Sequence, residues 1–241
     1  MSLKSKNIKN TNDTITTEVK EIQIKIWDFP TRIFHFLLVI LFGFLWFSGE
    51  TGKYPELHMK AGMMVLSLII FRLLWGFLGS TSSRFSRFFS PFAALKHGAE
   101  LLNRNRDYQA SHNPLGGIMV IVMLIIIALQ ATTGLFSSDL ILTEGPLFHL
   151  VDEETSEQMT DYHYLGFTIL LYLVCIHVFA IFFYKIYKRT PLIKSMITGK
   201  KAWPIEKVQP TILFVSPFYA LLLFLLSILI VFGGISYLSA L

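Results

Sequence analysis

The chain has 241 residues, of which 53% are hydrophobic and only 15% charged, with 22 phenylalanines, a mean hydropathy of +0.56 and a formal net charge of +5. A soluble domain of this length is about one-quarter charged, so the composition excludes intrinsic disorder, and one cysteine excludes an internal disulfide framework. The basic excess is spread over particular loops and not gathered on one domain, which argues against a nucleic-acid-binding protein.

The first residues to about Thr17 are polar, rich in Lys, Asn and Thr, and lack the apolar core of a cleavable signal peptide. Residues 1–21 are therefore expected to be a disordered cytoplasmic tail. Five apolar stretches follow, at about 33–48, 59–78, 114–136, 164–187 and 211–238. Crossing a bilayer takes roughly 20 apolar residues as a helix. The first stretch is the shortest and must borrow length from its flanks. None alternates with the period of two that a barrel strand needs, and helices satisfy their own backbone hydrogen bonds in lipid. The expected fold is an all-α integral membrane protein: a four-helix transmembrane bundle over residues 22–201, with a fifth transmembrane helix in 202–241.

Lys and Arg set the orientation. The amino-terminal approach carries Lys4, Lys6, Lys9, Lys20, Lys25 and Arg32, and the second-to-third loop Arg84, Arg87, Lys96, Arg104 and Arg106. The fourth-to-fifth loop adds Lys185, Lys188, Arg189, Lys194, Lys200, Lys201 and Lys207. The other side has Lys53 and Lys60, and an acidic run of Asp139, Glu144, Asp152, Glu153, Glu154, Glu157 and Asp161. This asymmetry predicts a cytoplasmic amino terminus and a periplasmic carboxyl terminus.

Four of the seven histidines fall at or inside predicted helix ends. Polar groups there are costly and are functional candidates. His163 and His177 are fourteen residues apart on one helix, close to four turns, so they share a face about 21 Å apart along the axis. Matching levels pairs His58 with His163 on the outer side and His35 with His177 on the inner side. Two stacked pairs suit two six-coordinate haems, each iron held by imidazoles from different helices. The competing readings are hydrogen-bonded interfacial side chains and a zinc site, which wants a tighter Cys/His cluster. Cys175, among apolar neighbours, is expected to be a buried apolar residue. His97 and His149 are expected to be solvated in loops. His112, before Asn113-Pro114, lies at a level where it could replace His35 or His177, or sit near a quinone or proton path.

Arg72 lies fourteen residues after His58 on nearly the same face, deep in the second helix. Two readings stay open: a salt bridge to a propionate of the inner haem, or snorkelling to the cytoplasmic surface. Arg32 is a weaker candidate for the propionate contact. Gly62 and Gly166 each follow an outer histidine by about a turn and would admit a flat macrocycle or another helix.

The segment Trp27-Asp28-Phe29-Pro30-Thr31-Arg32-Ile33-Phe34-His35 resembles the W-D-x-x-x-R-x-x-H opening of bacterial b-type cytochromes. These form the cytochrome b561 group, which includes the membrane cytochrome subunits of nickel–iron hydrogenases. Further similar motifs are His58-Met59-Lys60-Ala61-Gly62, Phe71-Arg72-Leu73-Leu74-Trp75-Gly76, His112-Asn113-Pro114-Leu115-Gly116-Gly117 and Ile193-Lys194-Ser195-Met196-Ile197-Thr198-Gly199-Lys200. The resemblance implies a four-helix core with two b haems whose ligands are His35, His58, His163 and His177. It also implies an inner-membrane electron carrier that exchanges electrons with quinone and with a hydrogenase, another periplasmic oxidoreductase or a c-type cytochrome. The fifth helix departs from the shortest members.

The expected activity is transmembrane electron transfer, with the acidic outer loop attracting a basic periplasmic partner. Asp28, Arg32 and His112 are the inner candidates for a quinone site, and Glu50 or Glu56 the outer ones. The rival readings are a superoxide:quinone oxidoreductase acting alone and a haem-free metal transporter.

Overall fold

The computed structural model describes residues 20–99, 108–109, 112–138 and 143–240; the rest of the expected tail, Arg104, Arg106 and Asp139 lie outside the described residues. Five helices are long and apolar enough to span a membrane: α1 (Phe29–Thr51), α2 (Pro55–Leu78), α4 (Pro114–Phe136), α5 (Glu153–Ile186) and α7 (Pro217–Leu238). Two short helices, α3 (Pro91–Ala99) and α6 (Leu192–Thr198), two strands, β1 (Glu21–Lys25) and β2 (Lys200–Pro204), and 3₁₀ turns at Thr81–Ser83, Phe85–Arg87 and Phe148–Leu150 complete the described elements.

Local chemistry explains the helix boundaries. Asp28 caps α1, its Oδ1 accepting from Thr31 N at 2.8 Å, and Pro30 sits in the first turn. Asn113 caps α4 in the same way, accepting from Gly116 N at 2.7 Å, with Pro114 as the first helical residue. α1 ends at Gly52, whose φ of 63° reverses the chain into α2. The short first stretch thus gains its missing length on both flanks and reaches 23 residues.

Two helices differ from expectation at their starts. α5 begins at Glu153 and not near 164, because Asp152 caps it and two glutamates occupy its first turn. Its 34 residues rise about 51 Å, more than the roughly 30 Å hydrocarbon layer, so its acidic turns stand clear of lipid. Hydrogen bonds from the Thr155 hydroxyl and backbone hold the Asp152 carboxyl below its usual range. α7 begins at Pro217 and not at 211. The preceding residues run extended, tied to the serine-rich turn after α2 by Leu213 N to Thr81 Oγ1 at 3.2 Å and Val215 N to Ser80 Oγ at 3.1 Å.

The strands were not anticipated. β1 and β2 pair antiparallel from Glu21 opposite Pro204 to Lys25 opposite Lys200. Glu21 therefore belongs to the sheet, and β2 straddles the expected boundary at 201/202. Gly199 O receives both Ile26 N at 2.8 Å and Trp27 N at 3.1 Å. Gly199 has a φ of 73° and lies so near that a Cβ would stand 3.0 Å from the Trp27 carbonyl oxygen, so the junction requires glycine. We call this end of the bundle the strand end, and the end with the Gly52 turn and the start of α5 the loop end.

α2 is the central helix. Its Val65, Leu68, Ile69, Phe71 and Trp75 pack with Phe34 of α1, Leu124 and Ile127 of α4, Leu170 of α5, and Ala220 and Leu223 of α7. The fifth helix therefore shares the core of the first four. A second cluster at the loop end joins Leu135 and Leu147 to Val231 and Ile235 of α7, beside a π-helical turn at Leu229–Gly233. Backbone packing joins α1 to α2, α2 to α4 and α4 to α5. α1 and α5 meet instead through rings, Trp46 with Phe167 and His35 with His177.

Candidate functional site

The four membrane histidines form two pairs at two depths. His58 of α2 and His163 of α5 have ring centroids 6.4 Å apart at the loop end. His35 of α1 and His177 of α5 have centroids 6.5 Å apart toward the strand end. A metal between two imidazoles, with metal–nitrogen bonds of about 2 Å and the nitrogen about 1.1 Å from the ring centre, sets centroids about 6 Å apart. Both pairs fit that span. Among the described residues no three His, Cys, Asp or Glu side chains converge, so the histidines stand in twos, without the four protein ligands of a closed zinc site.

The loop-end rings are oriented by bonds to Nδ1. His163 Nδ1 lies 2.9 Å from the Gln130 carbonyl oxygen, which can only accept, so Nδ1 donates and Nε2 keeps its lone pair. Ser48 Oγ donates to Leu45 O at 3.1 Å and lies 2.7 Å from His58 Nδ1. With its one proton directed at Leu45, that hydroxyl accepts from His58, which again leaves Nε2 with its lone pair free. This is how metal-binding imidazoles are commonly fixed. Gly134 permits the arrangement, since a Cβ there would lie 2.8 Å from His163 Cε1. Ser48 has no sequence signal of its own and was missed.

The strand-end pair is supported differently. No hydrogen bond reaches the buried His35 Nδ1. Around the pair lies a buried polar network centred on Asp28, which is 2% exposed. Asp28 Oδ2 accepts from Trp75 Nε1 at 3.1 Å and from Ser83 Oγ at 2.8 Å, and Ser83 Oγ also meets Thr31 Oγ1 at 2.7 Å. Arg72, also 2% exposed, donates from Nη2 to Ser83 O at 3.1 Å and stacks on Phe85, 4.8 Å from the ring centroid. Its Nη1 is buried and has no hydrogen-bond partner. Arg72 therefore does not snorkel: the turn after α2 folds over it. An unpaired buried guanidinium nitrogen is the group that an internal carboxylate would satisfy. Ser83 was not singled out and Trp75 only as part of a motif, although the Ser/Thr run 80–83 directly after a helix was a visible hydrogen-bonding signal.

Other sequence candidates are placed plainly. Arg32 donates from Nε to Met196 O at 2.9 Å and from Nη2 to Ile197 O, so it caps the carboxyl end of α6 in place of the propionate contact expected of it. Asp28 is engaged and enclosed, which removes it as an open quinone ligand. Cys175 is exposed on the outer face of α5, correcting the expectation of burial, while its neighbour Val174 faces the core. His97 lies on α3 and not in a loop, with Nε2 2.9 Å from Tyr184 Oη; His149 is exposed in a 3₁₀ turn. Glu50 and Glu56 are exposed at the loop end, and Glu56 pairs with Lys60 at 3.9 Å. His112 is wedged between Trp27 and Phe88, 4.7 Å from each ring. Burial, with smaller contributions from the charges of Arg72, His177 and His35, pushes it down to about 3.

A family model for prokaryotic cytochrome b561 matches residues 26–199. The chain belongs to that family. It is a b-type cytochrome of the membrane, and the matched span runs between the residues that the Ile26 N to Gly199 O bond joins. Similar relatives include a probable Ni/Fe-hydrogenase B-type cytochrome subunit of Rhizobium leguminosarum bv. viciae, 24% identical in an alignment covering 76% of this chain and 90% of that protein. Another, of the same description, from Bradyrhizobium diazoefficiens is 26% identical, covering 74% of this chain and 85% of the relative. No solved structure gives a significant match. Three of the motifs quoted from the sequence thus meet at the strand end of this cytochrome b561 bundle: Asp28 from the first, Arg72 and Trp75 from the third, and His112 from the fourth.

Proposed function

We propose that this cytochrome binds two b haems and carries electrons across the inner membrane between the quinone pool and a redox partner. A hydrogenase is the partner favoured by the description of the relatives. The observation that carries the reading is the pair of imidazole pairs, 6.4 and 6.5 Å between centroids, set four turns apart on α5. His58 and His163 would hold the loop-end haem, His35 and His177 the strand-end haem, with Arg72 toward a propionate.

When bound, the haem irons supply the one-electron chemistry. The chain's own residues do the rest. Ser48 and the Gln130 carbonyl fix the loop-end imidazoles, and the apolar core about Phe71 and Trp75 keeps water out. The Asp28 network holds Arg72 where an anion would meet it. Lys and Arg crowd the strand end and acidic residues the loop end, which supports a cytoplasmic strand end and a periplasmic loop end. The acidic surface, including Asp152, Glu153, Glu154, Glu157 and Asp161, would draw a basic partner to the loop-end haem.

The test is a pyridine haemochrome assay with quantified protein on the detergent-solubilised chain. Two b haems per chain is the expected result. One haem would overturn the double pair, and none would overturn the electron-transfer reading in favour of metal transport by the same histidines.

A further inference from the structure

We infer that His112 is a second donor, beside Arg72, in an internal carboxylate site that receives the propionates of the strand-end haem. The inference rests on the di-haem reading above and extends it to a residue outside the ligand set.

The first observation is an orphan. His112 is partly buried as a residue, but its Nδ1 is enclosed and makes no hydrogen bond. A folded protein ordinarily avoids leaving such a nitrogen unpaired, because nothing then compensates its desolvation. The second observation is that the ring is deliberately held. Trp27 and Phe88 pack on it at 4.7 Å each, so it cannot turn away to find water. The third is company: Arg72, His177 and His35 lie within electrostatic range of it, and Arg72 Nη1 is a second buried donor without a partner among the described residues. Two fixed donors beside the strand-end histidines match a carboxylate, which accepts from several N–H groups at once.

This assignment also accounts for the residues following His112. Asn113 caps α4 and so fixes where His112 stands relative to the helix. Gly116 leaves room for that cap, since a Cβ would sit 3.0 Å from Asn113 Oδ1. Gly117 admits the Phe88 backbone, whose carbonyl oxygen would be 2.5 Å from a Cβ, and Phe88 is one wall of the His112 clamp. The Trp27 wall comes from the opening motif, so two segments distant in sequence build one clamp.

The experiment measures haem loss to an excess of apomyoglobin, using the full chain loaded with haem b or with its dimethyl ester, which lacks propionate carboxylates. For haem b, His112→Phe should speed one of two loss phases about tenfold, as expected for a hydrogen bond to a charged group, and His112→Asn should restore the slow phase by returning a donor near Nδ1. For the ester, wild type and His112→Phe should lose haem at equal rates. Equal rates with haem b, or an ester that still senses His112, would overturn the inference. If His112→Phe does not fold, His112→Leu, which also lacks a donor, takes its place in the same comparison with both haems. Failure of wild type to hold two haems would instead strike the di-haem reading.

Discussion

The two histidine pairs have nearly the same ring spacing and differ in everything around them. At the loop end, each imidazole is tied through Nδ1 to a neighbouring acceptor, Ser48 for His58 and the Gln130 carbonyl for His163. At the strand end, His35 Nδ1 has no such tie, and the polar investment lies in Asp28, Trp75, Ser83, Arg72 and His112. The loop-end site is built to orient its ligands. On the di-haem proposal, the strand-end site would present donors to the carboxylates of its haem. Nearly equal spacing of imidazoles therefore hides two surroundings, one that fixes the rings and one that gathers buried donors beside them.

Several substitutions would break or sharpen that contrast. The largest effect is expected from His163→Ala and His177→Ala, each of which should halve the haem content; redox titration of the survivors should return two different potentials. Asp28→Ala should come next. It removes the cap of α1 and leaves Trp75 Nε1 without its buried acceptor, a loss of about 2–4 kcal/mol read by thermal unfolding. Its haem deficit should fall on the strand-end site. Ser48→Ala should weaken the loop-end haem about 10–100-fold, the usual effect of losing a partner behind a ligating imidazole, and leave the strand-end haem in place. Equal loss from both sites would erase the distinction drawn here. The smallest change is expected for Arg32→Ala: about 1 kcal/mol of stability from the α6 carbonyls, with haem content unaltered.

Much of this architecture could be read from the sequence because the bilayer imposes a simple rule. Runs of about 20 apolar residues had to be helices, and four histidines at matching depths had to pair. What could not be read were features decided by polar contacts across the chain. The start of α5 depended on the Asp152 cap, and the extended approach to α7 on Ser80 and Thr81, neither of which a hydropathy run records. Arg32 and Arg72 are both arginines near the strand-end histidine, and spacing alone cannot tell that one reaches α6 and the other lies sealed under the Ser83 turn. Ser48 looks like any serine near a helix end until His58 folds against it.

The β1–β2 pair has a consequence of a different kind, a matter of parity. Its strands lie on either side of the four core helices in the chain, and two strands can hydrogen-bond only in the same aqueous compartment. The pairing from Glu21–Pro204 to Lys25–Lys200 thus demands an even number of crossings between them. Should one of the four helices fail to insert, β1 and β2 would be stranded on opposite faces and Gly199 could not reach Ile26. The ribbon is, in effect, a parity check on the helices threaded before α7 is added.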